Sequence, residues 1–415
     1  MKRRVVITGY GVVSPVGIGK DNFSNSLQLG SSGLSATQLF NPEHVPSKVS
    51  GQVLDIDFST ILPSRQVKNV WRIVPMSLIA AKEALDDAGL LDASDSIKEK
   101  ISVLIGSGAH GIGYFENQFK KYMEKGFKAV SPHAITSTFV GMTASEISMY
   151  FGLKGYSTVM SNGCTSANDA MGFAMNSIKS GQTDIVVTGG AESCITEGVV
   201  ASFCRLGALS TQYNDDPVSA SRPFDKDRGG FVMGEGAWIF VFEELNHAKE
   251  RGATIYGEIS GYGATCDAYH RTSPSPHGED LARAMGMAID DAHLDKKDID
   301  YIIAHGTSTQ MNDSCETTSI KCCFGSKSYE IPISSLKSMM GHPQGACGGM
   351  SLAGALSSIR DGFLSPTINY ETPDESCDLD YTPNKAKVAS PDNILINSVA
   401  FGSKNSTIVV QKYKD

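Results

Sequence analysis

The chain has 415 residues, of which 41% are apolar and 20% charged, with 42 glycines and a formal net charge of −9. That length holds a large core and two domains or halves, and the balance suits a glycine-rich α/β protein, not a disordered or fibrous one. The acidic charge argues against nucleic acid, whose phosphates need a basic surface, but leaves room for an acidic protein docking on a local basic patch. The nine cysteines include no CxxC pair, which reads as reduced thiols in a cytoplasm, not disulfides or a metal site. The first nine residues hold too few apolar side chains for a secretory signal. No run approaches the roughly 18 apolar residues expected of a membrane span.

Arg4 to Ile7 reads as a buried strand entering a glycine turn at Gly9 and Gly11. A short helix follows over 21–29 with Asp21 as its cap, and residues 30–65 read as irregular loop. Val74 to Ala88 is an amphipathic helix closed by Gly89. The strand 101–105 runs into Gly106-Ser-Gly-Ala-His-Gly111, a literal GxGxxG. A dinucleotide fingerprint would be followed by a second strand ending in an acid about 20 residues on. A charged amphipathic helix over 114–128 follows instead, so the stretch is read as a glycine turn packed on other backbone. Helices are expected over 138–149 and from 167 to about Gly181, strands over 184–190 and 237–242, a charged loop at 221–231 and a surface helix over 243–251.

Near Ala253 the plan begins again. Residues 256–263 echo the strand-then-glycine opening, followed by a helix over 281–292 and a strand over 299–304 that ends at His305. Residues 331–335 lead into Lys337, a small-residue helix covers 348–360, and strands cover 395–400 and 406–411. Strands alternating with helices imply a mainly parallel sheet in each half. The two similar halves, 1–252 and 253–415, imply a pseudo-duplicated fold.

The chemistry centres on Val159-Met-Ser-Asn-Gly-Cys164-Thr-Ser-Ala167. A strand ends, Gly163 permits a sharp turn, and a helix begins, so Cys164 stands at an elbow beside a helix N-terminus. Free amides and the dipole there favour a thiolate and would lower its pKa, as a nucleophile requires. A structural cysteine would be buried and inert. His305, in His305-Gly-Thr-Ser-Thr309, lies at a strand's C-terminal end, the edge where α/β sheets bind ligands. His342 lies in Lys337-Ser-Met-Met-Gly-His342-Pro343, between a strand and the small-residue helix. One cysteine with two neutral imidazoles suits acyl transfer followed by carbanion formation. A hydrolase would pair one histidine with an orienting acid or amide.

These three segments resemble those of β-ketoacyl-[acyl carrier protein] synthases with the thiolase fold, and the similarity covers nearly the whole chain. It includes Arg222-Pro-Phe-Asp225 through Gly234-Glu-Gly236 and the terminal Asn397-Ser-Val-Ala-Phe-Gly402. The resemblance implies an α/β chain of two pseudo-repeated halves in a layered αβαβα arrangement. It implies a Claisen condensation in which Cys164 carries the acyl chain while His305 and His342 assist loss of carbon dioxide from malonyl on an acyl carrier protein. Backbone amides of Cys164 and Phe401 would form the oxyanion hole, with Phe401 gating the pocket. Thr307 and Thr309 would contact the phosphopantetheine arm that the carrier brings. Lys337 would hold the network near His342, with Asp313 close by. No cofactor or metal bound to this chain is implied.

Gly163-Cys-Thr-Ser166 and the Asn312-Asp313 run, with Glu316-Thr317 after it, resemble the ketosynthase α subunit of type II polyketide synthases more than the fatty-acid elongation enzyme. The former pairs with a chain length factor as a heterodimer; the latter is usually a homodimer. Three departures stand out. Ser351 occupies the place of a glutamate that usually partners the lysine, Ala400 and Ser403 replace gate glycines and should stiffen that loop, and Lys404 replaces a small residue. They suggest a specialised enzyme, or a partner-dependent, weakly active scaffold subunit. A coenzyme A thiolase would need a second active cysteine near the C-terminus, and Cys377 lacks the glycine-flanked setting for it. Arg65, Lys68 and Arg72, spaced as on one helical face, form a candidate docking patch for the acidic carrier. Ala109 and Phe203 are candidate pocket-lining residues.

Overall fold

Two runs of five strands organise the computed structural model, which describes residues 3–414. The first half comprises β1 (Val5–Ser14), α1 (Ile73–Asp87), β2 (Ser102–Gly106), α2 (Ile112–Lys125), α3 (Met142–Phe151), β3 (Ser157–Met160), α4 (Ser166–Lys179), β4 (Ile185–Glu192) and β5 (Gly236–Glu244). The second comprises β6 (Gly257–Cys266), α5 (Glu279–Asp291), β7 (Tyr301–Ile303), α6 (Gln310–Phe324), β8 (Ile333–Ser334), α7 (Cys347–Asp361), β9 (Asn393–Ala400) and β10 (Lys404–Gln411). The strands lie in the order β1-β5-β4-β2-β3 and β6-β10-β9-β7-β8. Numbered within its own half, each run reads first, fifth, fourth, second, third. The halves therefore repeat one topology, and β1 touches β6 along a short antiparallel contact with Val6 opposite Glu258.

The sheets are mixed, which corrects the mainly parallel reading. β2, β3 and β4 run parallel, but β5 is antiparallel to both β4 and β1. In the second half β7, β8 and β9 are parallel, and β10 is antiparallel to β9 and β6. A three-residue connection, Phe401 to Ser403, joins β9 to β10, and so short a link can only reverse the chain.

Gly9 and Gly11 do not form a turn; β1 runs straight through them. A Cβ at Gly11 would stand 2.0 Å from the carbonyl oxygen of Ala80 on α1. Gly263 of β6 meets Ala284 of α5 in the same way, at 2.3 Å. Both strands also slip register by a bulge just ahead, between Ile7 and Gly9 and between Ile259 and Gly261. The repeated glycines thus let an outer helix lie directly on the first strand of each sheet.

α4 and α7 lie between the two sheets. Asn168 of α4 donates through Nδ2 to the carbonyl of Ser406 on β10, at 3.1 Å, and a Cβ at Gly349 of α7 would come within 3.1 Å of Gly190 N on β4. Both helices are rich in Ala, Gly and Ser and are buried along most of their length. With α1 and α5 outside, the layers run αβαβα. The chain passes from one half to the other between Glu250 and Gly257.

Three local expectations change. The first helix spans Lys20–Leu29 behind Gly19, and Asp21 sits in its first turn paired with Arg360 instead of capping it. Residues 30–65 include two short paired strands, Leu34–Ala36 and Val49–Gly51, the latter also beside Met233–Gly234. The helix expected from 138 begins at Met142. At the surface, β3 is an edge strand. On α2 and the chain that follows it Phe115, Phe119, Met123, Phe127, Ile135 and Phe139 are all exposed. Among the described residues no helix is long and apolar enough to cross a membrane.

Candidate active site

Cys164 and His342 occupy matching places in the two halves, each between the third strand and the central helix. The chain leaves β3, turns at Gly163, whose φ of +68° favours glycine, and enters α4 at Ser166. Likewise it leaves β8, passes Lys337 and His342, and enters α7 at Cys347. His305 follows β7, and its counterpart in the first half is the GxGxxG loop after β2. That loop is a packing device. A Cβ at Gly106 would lie 2.3 Å from Ala167 N at the start of α4, and one at Gly345 would lie 2.0 Å from Gly108 N. The glycines let the leading ends of the two central helices, and hence Cys164 and His342, meet.

The three side chains do converge. Cys164 Sγ stands 3.2 Å from His342 Nε2. The two imidazoles meet edge to face with centroids 5.2 Å apart. Sγ and one nitrogen from each ring lie within 4.8 Å of one another, and all three residues are buried. Burial, reinforced by the positive charge of Lys337, holds both histidines well below the usual imidazole range, so both rings are neutral. The same burial pushes the Cys164 thiol up, with Lys337 only partly opposing it. This corrects the expectation of a helix-stabilised thiolate: desolvation outweighs the half-charge of one helix end. The resting group is a thiol, with His342 placed to take its proton on attack.

Lys337 is buried; its ammonium donates to the carbonyl of His305 and faces Nδ1 of the same residue at 3.5 Å. Among the described residues no carboxylate pairs with it, in keeping with Ser351 at the glutamate position, where the serine is buried on α7. Asp313 accepts from the backbone N–H groups of Thr307, Ser308 and Phe224 and lies 3.7 Å from Arg228 Nε. It holds the His305 loop, not Lys337 directly. Two further carboxylates do similar work and escaped sequence reasoning. Glu316 accepts from the N–H groups of His305 and Gly306, and Glu192 from those of Gly108, Ala109 and Gly345. Burial raises both their pKa values. Glu316 belongs to the quoted Asn-Asp run, but for Glu192 the only signal is an acid closing an otherwise apolar strand.

Cys164 opens into a cavity of about 480 Å³ that His305, His342, Thr307, Thr309 and Phe401 also line. The hydroxyls of Thr307 and Thr309 are 2.9 Å apart. Phe401 is 43% exposed at the mouth. Behind it Ser403, at φ +61°, donates to the carbonyl of His270 and accepts from the N–H groups of Tyr269 and His270, which ties the β9–β10 connection down. Ala109 and Phe203 do not line this cavity; they pack with Phe231 and Ile195. The docking patch is smaller than its spacing implies. Arg65 lies on the short Ser64–Val67 helix, Lys68 caps it, and Arg72 precedes α1, so the three share no helix. Arg72 is spent on buried Glu235, at 2.7 Å, which leaves Arg65 and Lys68 exposed. Sequence reading also missed Gln344 and Cys347, which both touch Cys164: Gln344 through its thiol, and Cys347 by donating to its carbonyl.

Residues 2–248 match the family described as Beta-ketoacyl synthase, N-terminal domain, and 256–371 match its C-terminal domain. The chain is 38% identical over 414 residues to 3-oxoacyl-[acyl-carrier-protein] synthase 2 of Coxiella burnetii, covering 100% of both. It is 39% identical to the enzyme of that name from Staphylococcus aureus over 99% of each chain. Among solved structures it resembles a type II polyketide ketosynthase in complex with its acyl carrier protein and bound to a hexaketide, at 33% identity and a TM-score of 0.92 over 100% of both chains. The ishigamide ketosynthase/chain length factor aligns equally well, at 32% identity and a TM-score of 0.92.

Proposed function

The chain belongs to the β-ketoacyl synthase family, and from that premise we propose that it joins a Cys164-bound acyl chain to malonyl on an acyl carrier protein by decarboxylative Claisen condensation. It is a condensing acyltransferase. The observation that carries the reading is a cysteine sulfur and two neutral imidazoles held together in a buried, cavity-facing cluster.

In the first step Cys164 sulfur attacks the acyl thioester of a carrier protein. The new carbon–sulfur bond forms, the bond to the carrier's phosphopantetheine thiol breaks, and the proton passes by way of His342 to that leaving thiol. Backbone N–H groups of Cys164 and Phe401 receive the transient oxyanion. In the second step malonyl-carrier enters past Phe401, its arm against Thr307 and Thr309. Carbon dioxide leaves, and His305 and His342, as neutral donors, hydrogen-bond the enolate oxygen. The carbanion attacks the Cys164 thioester, the carbon–sulfur bond breaks, and the departing thiolate takes a proton from water. Lys337 keeps the imidazoles neutral and fixes the carbonyl of His305.

For the chain type we favour elongation of fatty acyl groups, supported by the full-length similarity to enzymes named 3-oxoacyl-[acyl-carrier-protein] synthase 2. A second reading, the ketosynthase α of a type II polyketide synthase, has support from the Asn312-Asp313 run and the two polyketide ketosynthase structures. In either case the edge strand β3 and the exposed apolar side chains of α2, Phe115 and Phe119 among them, are the surfaces on which a second subunit would sit. A second copy of this chain serves the first reading, a chain length factor the second.

Purified chain, incubated with isotopically labelled acyl-carrier protein and then malonyl-carrier protein, should carry label on Cys164 and release a β-ketoacyl-carrier product. Turnover by the chain alone, sedimenting as a dimer, supports the elongation reading; turnover only with an added partner subunit supports the second. No label on Cys164 under either condition removes the condensing role and leaves a scaffold subunit. Reversing Lys68 to Glu should raise the KM for the carrier; an unchanged KM removes this patch as its docking site.

A further inference from the structure

The sulfur and two imidazoles that converge at the cavity are also a set of metal ligands. Cys164 Sγ is 3.2 Å from His342 Nε2, and Sγ and one nitrogen from each ring lie within 4.8 Å of one another. In a tetrahedral zinc site, with bonds of about 2.3 Å to sulfur and about 2.0 Å to nitrogen, such atoms stand about 3.3–3.6 Å apart. Small side-chain movements therefore close the gap. The backbones that carry the ligands are already fixed. The His342 N–H donates to the Val232 carbonyl at 2.7 Å, and the His342 carbonyl accepts from the Gly234 N–H at 3.0 Å. His305 is held by Glu316 through its N–H and by Lys337 through its carbonyl. Nδ1 of His305 faces Lys337 and Cys347, so Nε2 is the nitrogen left for a metal.

The donor set selects the metal. One thiolate and two imidazoles suit zinc and its neighbours in softness, whereas magnesium and calcium prefer oxygen. The Lys337 ammonium, 3.5 Å behind His305 Nδ1, opposes any cation here and so favours one that gains a strong bond to sulfur. The fourth position opens on the cavity of about 480 Å³ that all three ligands line, which gives the ion its way in and water as its last ligand. Three protein ligands and one open position is the pattern of reactive zinc sites, not structural ones. Binding balances through one proton: the metal–sulfur bond forms as the S–H bond breaks, and the proton leaves to solvent. The sequence carries no metal-binding spacing because the ligands come from three separate loops, at 164, 305 and 342.

We infer that Cys164, His305 and His342 form a binding site for a zinc-class divalent cation, and that the bound ion shuts the enzyme. The ion takes the three atoms that loading and condensation use, so a metal and an acyl chain exclude each other at Cys164. The inhibition rests on the condensing role proposed above; the metal site itself does not.

The test uses the full chain, reduced and stripped of metal, with zinc ion alone as the probe. Equilibrium dialysis should show one zinc retained per chain in the presence of excess magnesium. Cobalt(II) in its place should give the near-ultraviolet sulfur-to-cobalt band and the intense visible bands of a four-coordinate site. Cys164→Ala and His342→Ala should each weaken zinc binding at least about 100-fold, the loss that even an outer partner of a metal ligand can cause, and Lys337→Met should tighten it. In wild type, zinc should slow the labelling of Cys164 from acyl-carrier protein at least about tenfold, and a chelator should restore it. No zinc retained by wild type overturns the inference, and labelling of the metal-free chain reads the condensing role separately. Retention that none of the three substitutions moves places the ion on other thiols, such as exposed Cys322, and overturns it too. Labelling at an unchanged rate under saturating zinc overturns the inhibition. A chain that holds zinc at Cys164 yet takes no acyl label when metal-free keeps the site and loses the condensing role.

Discussion

His342 Nε2 lies 3.2 Å from Cys164 Sγ, and the two residues stand at equivalent points of the repeated halves, each between its third strand and its central helix. One topology, used twice, supplies the sulfur on one side and, on the other, the imidazole proposed to take its proton. The pair meets because α4 and α7 come together between the sheets, where Gly106, Gly190 and Gly345 leave room for their leading ends.

Because the thiol is protonated at rest, acylation should depend on His342 as well as Cys164. Cys164→Ala should abolish labelling from acyl-carrier protein. His342→Ala should slow it by about 10²–10⁴, the usual worth of a positioned general base. Intact-protein mass spectrometry over a time course measures both, and labelling of His342→Ala at the wild-type rate would remove the proton-acceptor role.

Burial and, after it, the charge of Lys337 depress both imidazoles. Lys337→Met removes that charge, so the pKa of each ring rises. The acid limb of the condensation rate should then move to higher pH, since protonated imidazoles cannot serve as neutral donors and acceptors. A pH–rate profile with a lowered plateau but an unmoved limb would leave Lys337 a purely structural role.

Asp313 is buried, accepts three backbone hydrogen bonds and faces Arg228. Asp313→Ala should cost about 3–5 kcal/mol, because it leaves three buried amides without an acceptor at about 1–3 kcal/mol each, while Arg228 keeps its pairing with Asp374. Urea unfolding monitored by circular dichroism gives the difference. A loss below about 1 kcal/mol, the range of an exposed pair, would mean that the loop repairs itself.

His110 bonds Thr143 through Nδ1, is fully buried, and is held down to about 4 from 6.5 by desolvation. The unfolded chain therefore takes up this proton first. The stability that the neutral ring contributes is present above about pH 6.5 and is lost as pH falls toward 4. Comparing wild type with His110→Asn isolates this group from the buried carboxylates, whose raised values act in the opposite sense. Between pH 7 and 5 wild type should lose about 2 kcal/mol relative to the variant. Parallel pH dependences would show that the ring is charged in the fold.

Gly11 and Gly263 should tolerate no side chain. Gly11→Ala and Gly263→Ala place a Cβ at 2.0 and 2.3 Å from a helix carbonyl oxygen, and each should destabilise by about 1–3 kcal/mol or more. Gly286, on the same helix α5 but with open space around it, is the control; Gly286→Ala should stabilise by about 0.5–1 kcal/mol. Thermal melts of the three variants decide whether close approach, and not glycine content, is what matters.

What was legible in the sequence is what neighbouring residues decide. Cys164, His305 and His342 each sit where an apolar run stops at a glycine, and the backbone needs of such a turn are written within a few positions. The helix periodicities and the doubling of the plan are local patterns of the same kind. The tertiary structure alone decided who meets whom. Arg72 is neutralised by Glu235, 163 positions away, and is lost to docking. Gln344 reaches Cys164 across 180 positions. Lys337, which Ser351 had already shown to lack its usual carboxylate, leans on the carbonyl of His305, 32 positions away. The Cys164 thiol lost the ionisation that its elbow implied, because a helix end acts over one turn while desolvation is set by every layer packed above it. Hydrogen-bond partners and burial depend on elements that share no stretch of chain, so no window of sequence contains them.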